Sequence, residues 1–223
     1  MYLQFFSFLR RICKNRYFSY TLVKIMLTSI FQFDQFLIQR MSDLHTRYLD
    51  VMMIVLTKLW DFWFLWIFLT IFLIFQSKYR HIGYILMAWL GMALVLWEWI
   101  LKHIFYRERP FQELSDIVLL IDEPITSSFP SGHSSASWCF ALIFTYFFWK
   151  KSHFSVIYIW ILAAWVTLSR FYLQVHYPSD IVGGIFVGSF SALICIYIYR
   201  YRSKQLLCQN SRESIRSTDR EIL

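Results

Sequence analysis

Apolar runs broken by short charged turns dominate the chain. From Leu49 to Gln76, Ile82 to Leu101, Phe129 to Trp149, Ser155 to Leu168 and Ile181 to Tyr199, five apolar segments are read as membrane-crossing helices, for which roughly 20 apolar residues span a hydrocarbon core of about 30 Å. The first of these exceeds that length and carries Lys58 and Asp61 in its first third, so its early turns are expected in the headgroup region with Phe62 to Phe75 buried. Trp97 and Trp99 near the end of the second are placed to anchor it at an interface. Tyr17 to Phe33 is only moderately apolar and interrupted by Lys24, and Arg10, Arg11, Lys14 and Arg16 precede it. Two readings of it stand side by side: a sixth, N-terminal span behind a basic leader, or an amphipathic helix lying on the membrane. Residues 34–50, with Phe36, Leu37, Met41 and Leu44 at helical spacing, predict an interfacial helix rather than a crossing.

The expected fold class is therefore all-α: a polytopic membrane helical bundle of five clear transmembrane helices plus that sixth element. A basic N-terminal segment, 1–33, precedes the transmembrane domain, 34–202, and a polar tail, 203–223, is expected to be disordered and cytoplasmic. Composition agrees, since 58% hydrophobic and 16% charged residues are too apolar and too poorly charged for an ordinary soluble domain. The formal charge of +8 does not point to nucleic acid, because the basic residues cluster just outside apolar runs, as the positive-inside rule has it. Cys13, Cys139, Cys195 and Cys208 are scattered singly with no CxxC spacing, and they predict neither a disulfide nor zinc. The N-terminus lacks the short apolar core and small-residue cleavage site of a secretory signal and is expected to be retained.

Charge in the turns sets the sidedness. Ser77–His81 and Lys150–Lys151 are basic, and Arg200, Arg202 and Lys204 follow the last run, so these ends are inner. Phe111 to Phe129 carries Glu113, Asp116, Asp122 and Glu123 without a Lys or Arg, so it is outer. The C-terminus is then cytoplasmic.

Three segments that carry candidate chemistry fall on that outer side. In the first, Glu98 lies four residues before Lys102, a favourable helical pair, and Lys102 shares a face with Arg109 if the helix continues almost to Pro110. In the second, FPSGHSS from Phe129, Ser131 is a fitting N-cap and Gly132 lets a ligand approach backbone N–H groups at a helix start, with His133 beside them. In the third, SRFYLQVHYPSD from Ser169, Pro178 suits a first helical position, which leaves His176 in a turn and puts Asp180 in the first helical turn. Arg170 is a permanent cation suited to phosphate or carboxylate, His176 can act as nucleophile or base near neutral pH, and Asp180 can orient an imidazole. Three cations, a backbone nest and two histidines gathered without a cluster of carboxylates or cysteines meet the demand of a phosphoryl group in transfer. Each segment taken alone also has a bland account: Lys102 and Arg109 as snorkelling cations, His133 as a boundary residue, Gly184 and Gly188 as helix packing.

The joint pattern K-x6-RP at Lys102–Pro110, PSGH at Pro130–His133 and SR-x5-H-x3-D at Ser169–Asp180 resembles the type 2 phosphatidic acid phosphatase (PAP2) superfamily in order and without departure. The resemblance spans Lys102 to Asp180 and does not support anything about the first 33 residues. It implies an α-helical bundle that removes phosphate from lipid phosphates or diphosphates without a metal, through a phosphohistidine. It implies His176 as nucleophile, Asp180 as its orienting and charge-stabilising partner and His133 as the acid for the leaving oxygen. Lys102, Arg109, Ser131, Gly132 and Arg170 would bind phosphate oxygens, with Ser169 and Glu98 in support. Arg107, Glu108 and His103 stand outside the motif and read as local pairing or headgroup contacts.

The expected partners are a membrane lipid phosphate and the bilayer, with no cofactor, metal, nucleic acid or obligate protein partner. Undecaprenyl diphosphate is the first substrate expected, for a small chain with no added soluble domain; phosphatidylglycerophosphate, phosphatidic acid and lipid A phosphates share the same recognisable group. A different class, an outer cationic cluster that binds or transports anions without chemistry, needs cations but not His133, His176 and Asp180 together. Vanadate-dependent haloperoxidases share the motif set by resemblance, but they are soluble, and the apolar runs argue against that class.

Overall fold

The computed structural model describes residues 17–61, 70–77, 79–92 and 100–221. Among these, every regular element is helical: α1 (Tyr17–Met41), α2 (Arg47–Asp61), α3 (Arg80–Met92), α4 (Gly132–Phe148), α5 (His153–Tyr172) and α6 (Pro178–Glu221). Short helical turns at Ser42–Leu44, Lys102–Ile104 and Pro110–Glu113 punctuate the connections. The helix starts are written locally. Ser131 accepts a hydrogen bond from the Ser134 N–H at 3.4 Å to cap α4, and Ser152 does the same for Ser155 at 3.3 Å to cap α5. Pro178 opens α6, where a missing N–H costs nothing.

α4 is the centre of the bundle, packed by α6 on one side and α5 on the other, while α2 covers α5 and α3 leans on α6. The α4–α6 approach depends on absent side chains: a Cβ on Gly184 would strike the Ser131 carbonyl, and one on Gly188 the Ser135 carbonyl. Because 131 pairs with 184 and 135 with 188, the two helices run parallel and start at the same end. Below this seam Ile82, Leu86, Trp89, Cys139, Phe140, Ile143, Ala192 and Cys195 form one buried core. Toward the other end Met53, Tyr172, Leu173 and Val175 pack under Leu119, Leu120 and Ile121 of the long loop.

The polarity of the bundle is inverted relative to a water-soluble one. Ser134, Ser135, Ser137 and Ser191 are buried, while Val182, Phe186, Phe190, Leu193 and Tyr197 form an exposed stripe along α6. Between α4 and α5 the indole N–H groups of Trp138 and Trp160 donate to Thr167 and Thr145 at 3.2 and 2.9 Å. α5 and the first part of α6 (Pro178–Gln205) are long and apolar enough to cross a membrane, in keeping with a membrane protein.

Several expectations change here. α1 runs unbroken from Tyr17 through position 33 to Met41, so the described part of the N-terminal segment and the stretch after it are one helix, and α2 starts at Arg47 after the Ser42–Leu44 turn. Asp34 is buried. The helix carrying Lys102 stops at Ile104, because Phe105 leaves helical geometry (φ −107°, ψ 57°) and Arg109 is extended (φ −84°, ψ 159°), as the residue before a proline prefers. The tail expected to be disordered continues α6 to Glu221; no Gly or Pro follows Gly188, and extending an existing helix avoids the cost of a new nucleus. Glu98, Trp97, Trp99 and the basic leader lie outside the described residues, so the Glu98–Lys102 pair does too.

Candidate active site

The loss of helix after Ile104 still brings Lys102 and Arg109 together, by a different route. Lys102 Nζ donates to Thr126 Oγ1 at 2.9 Å, and Arg109 donates through Nε to the Thr126 carbonyl at 2.8 Å and through Nη2 to Thr126 Oγ1 at 3.3 Å. One threonine of the acidic loop thus aligns both cations. Arg109 is buried, and its Nη1 donates to the Val175 carbonyl at 2.9 Å and lies 3.4 Å from His176 Nε2. A guanidinium only donates, so Nε2 is the accepting nitrogen and the imidazole proton sits on Nδ1. The lone pair of His176 therefore faces the cations.

The turn that holds His176 is stiff. α5 ends at Tyr172, and Gln174 takes the left-handed conformation (φ 53°). Its Nε2 donates to the Ile38 carbonyl at 2.8 Å and to Ser42 Oγ at 2.9 Å, tying the turn to the end of α1. Val175, His176 and Tyr177 are all buried. Burial holds the His176 imidazole well below the usual 6.5, and the charges of Arg109, Arg170, Lys102 and His133 add to that depression. Tyr177 is pushed up from its ordinary value by burial and by donating to Glu113 Oε2 at 2.6 Å.

Asp180 is at the start of α6, fully buried. Its Oδ2 accepts from the Tyr177 N–H at 2.9 Å and from Ser128 Oγ at 2.6 Å, and stands 3.9 Å from His176 Nδ1. Its Oδ1 accepts from Arg107 Nη1 at 2.6 Å. His176 Nδ1 has no hydrogen-bond partner among the described residues, so the imidazole N–H is aimed near the carboxylate without reaching it.

The remaining expected residues surround this centre in different ways. Arg170 is buried and donates to Thr57 Oγ1 of α2 at 2.6 Å. Ser169 donates to the Val166 carbonyl at 2.7 Å and to the same Thr57 hydroxyl at 3.5 Å, so its connection to the site runs through Thr57. Ser131 is engaged by the fold: its N–H donates to the Asp180 carbonyl at 3.0 Å and its Oγ accepts from Ser134. Gly132 begins α4 and His133 follows it, each partly exposed. Among the described residues no group of three or more His, Cys, Asp or Glu is arranged to hold a metal ion.

Arg107 overturns the reading of local or headgroup contact. It is buried, and besides Asp180 it donates through Nη2 to Asp34 Oδ2 of α1 at 2.8 Å and through Nη1 to Ser179 Oγ at 2.7 Å. Its guanidinium lies over the Tyr177 ring at 4.1 Å. Thr57, Thr126 and Ser128 are the other site residues absent from the sequence reading. A carboxylate amid the aromatics of FQFDQF was the available signal for Asp34, since an isolated charge in an apolar helix implies a buried partner.

The PAP2 superfamily profile matches residues 81–204, and the chain belongs to that superfamily. It is 30% identical over 141 residues to an undecaprenyl-diphosphatase of Sulfolobus acidocaldarius, covering 60% of this chain and 64% of that one. It is 35% identical over 96 residues to phosphatidylglycerophosphatase B of Bacillus subtilis, covering 40% of this chain and 44% of that one. The match thus spans less than two thirds of either relative's length. The fold is that of a transmembrane PAP2 type phosphatidylglycerolphosphate phosphatase from Bacillus subtilis, whose crystal structure superposes with a TM-score of 0.66 at 24% identity over 78% of this chain and 87% of that one.

Proposed function

We propose that the chain is a metal-independent membrane lipid phosphatase that works at the outer face through a phosphohistidine. The observation that carries this reading is the environment of His176: a buried imidazole whose Nε2 faces the Arg109 guanidinium, and whose charged form is disfavoured by burial and by the charges of Arg109, Arg170, Lys102 and His133. A neutral imidazole can attack phosphorus, and fixed donors around it stabilise the charge on the equatorial oxygens.

In this mechanism the headgroup enters from the outer leaflet, and its phosphate oxygens take the donors of Lys102, Arg109 and Arg170, framed by the start of α4 at Ser131 and Gly132. Nε2 of His176 bonds to phosphorus as the bond to the leaving oxygen breaks, and His133 gives that oxygen its proton. The phosphoimidazole is cationic at this point, and the 3.9 Å gap between Nδ1 and Asp180 Oδ2 closes to a charge-assisted hydrogen bond. Water then attacks phosphorus, its proton passes to His133, and phosphate leaves with His176 restored.

Undecaprenyl diphosphate is the substrate tested first, supported by the similarity to the Sulfolobus acidocaldarius undecaprenyl-diphosphatase; on it the leaving group is the lipid monophosphate. Phosphatidylglycerophosphate is the second reading, supported by the similarity to phosphatidylglycerophosphatase B. The topology proposed has five or six crossings with the C-terminus cytoplasmic. The test is phosphate release by detergent-solubilised protein from undecaprenyl diphosphate, phosphatidylglycerophosphate, phosphatidic acid and lipid A, with and without chelator. Release that persists in chelator supports the mechanism, and its abolition refutes it.

A further inference from the structure

Asp34, Arg107 and Asp180 form a buried row of charges that reaches the site from an element outside the profile match, which begins at residue 81. The row is closed on itself. Arg107 Nη2 meets Asp34 Oδ2 at 2.8 Å, Nη1 meets Asp180 Oδ1 at 2.6 Å, and Asp34 Oδ1 accepts the Ser179 N–H at 3.0 Å in the first turn of α6. Ser179 Oγ bridges the remaining side, donating to Asp34 Oδ2. Backbone contacts fix Arg107 as well: its N–H donates to Ser127 Oγ at 2.8 Å and its carbonyl accepts from Ser128 at 2.8 Å.

The signs matter more than the bonds. Arg107 with Asp180 alone would be a neutral pair, and a neutral pair has little attraction for a cation forming on His176. Asp34 supplies a second negative charge, so the three buried groups together carry one net negative charge where charge is weakly screened. We propose that Asp34 is a positioning residue that acts through Arg107: it compensates the guanidinium, so that Asp180 presents an undiminished carboxylate to His176 Nδ1 when the phosphoimidazolium forms. Arg107 is the second positioning residue, holding one carboxylate oxygen while leaving the other directed at the imidazole. The inference rests on the phosphohistidine reading of the same site.

The test compares Asp34→Asn, Asp34→Glu and Arg107→Lys with the unaltered chain, and uses the exposed Arg40→Gln on the same helix as a control. Asn preserves the size of Asp34, and its one amide oxygen can accept from Arg107 and the Ser179 hydroxyl while its NH2 meets the Ser179 N–H, so it removes the charge and one acceptor with little change of shape. The expected result is a fall in kcat of roughly 10- to 100-fold for Asp34→Asn, the range for losing an outer-shell partner of an active-site group, with KM within about threefold because the phosphate clamps are untouched. Asp34→Glu is expected to recover part of kcat. Arg107→Lys is expected to lose kcat, since a point charge does not bridge two carboxylates as a planar fork does.

A kcat per folded molecule for Asp34→Asn within about twofold of the unaltered chain overturns the inference, as does equal loss in Asn and Glu. A second readout is independent of turnover: the ¹⁵N resonance of His176 Nδ1, assigned by its disappearance in His176→Gln, is expected to shift in Asp34→Asn and not in Arg40→Gln. An unaltered chain that releases phosphate from none of the lipids defeats the phosphatase reading, and the Nδ1 resonance still decides the inference.

Discussion

His176 Nδ1 and Asp180 Oδ2 stand 3.9 Å apart, too far for a hydrogen bond and close enough to form one with a small rotation. Asp180 meanwhile serves the fold through Tyr177, Ser128 and Arg107. Two substitutions separate these duties. Asp180→Asn keeps the shape and is expected to lower kcat by on the order of 10² to 10⁴, the scale seen when an orienting carboxylate loses its charge. Asp180→Ala also leaves Arg107 against a single carboxylate, and is expected to cost a further 3–5 kcal/mol of stability, the usual scale for breaking a buried pair. Phosphate release and thermal unfolding in detergent read the two effects.

The His176 imidazole is held below 6.5 by burial and then by neighbouring cations, which sets the sign of two pH effects. In the proposed mechanism attack needs the neutral ring, so the acid limb of kcat/KM is expected below pH 6.5, and Lys102→Met, which removes one cation, is expected to move it upward. For stability, an unfolded chain binds a proton at His176 below about pH 6.5 where the folded chain does not. The unfolded state then carries more protons, and stability falls as acid is added from pH 6.5 down to the depressed folded value. Its restoration below pH 6.5 in His176→Gln is the check, by thermal unfolding at several pH values.

Thr126 aligns Lys102 and Arg109 through one hydroxyl. Thr126→Val keeps the volume and removes that acceptor. KM for lipid phosphate is expected to rise about 3- to 10-fold, corresponding to one ordinary hydrogen bond, with kcat nearly unchanged. An unaltered KM sinks the alignment role.

Gly184, Gly188 and Gly91 form a graded series. Alanine at Gly188 strikes the Ser135 carbonyl and at Gly184 the Ser131 carbonyl, whereas alanine at Gly91 meets nothing within 4 Å. The first two are expected to cost about 1–3 kcal/mol by overpacking, and Gly91→Ala to be neutral or to gain up to about 1 kcal/mol through helix propensity. Gly184→Ala displaces the turn that carries Ser131 and should also lower activity more than Gly188→Ala.

Helices were legible in this chain because apolar periodicity and caps are local: Ser131 and Pro178 start α4 and α6 where the sequence puts them. The Gly184–Gly188 packing face was legible for the same reason. The break at Phe105 was harder, since only the proline after Arg109 signals it, and the four apolar or charged residues between give no second sign. Arg107 and Asp34 lie 73 positions apart, and no local pattern can connect them. The sequence reading therefore named the groups proposed to bind phosphate and missed the groups that hold them in place. Ser131 shows the converse, a motif residue whose N–H and hydroxyl are engaged by neighbours in the fold.

The parallel register of α4 and α6 has an electrostatic consequence. Each helix start carries roughly half a positive charge, and the Ser131 N–H to Asp180 carbonyl bond fixes the two starts side by side, where their macrodipoles repel. Lys102, Arg109 and Arg170 add three formal charges to the same end. An anion seated there relieves repulsion among parts that the glycine seam does not allow to separate. Inorganic phosphate or orthovanadate should therefore act as a clasp on the bundle, raising its melting temperature in proportion to the logarithm of concentration above Kd, with the gain lost in Arg109→Met.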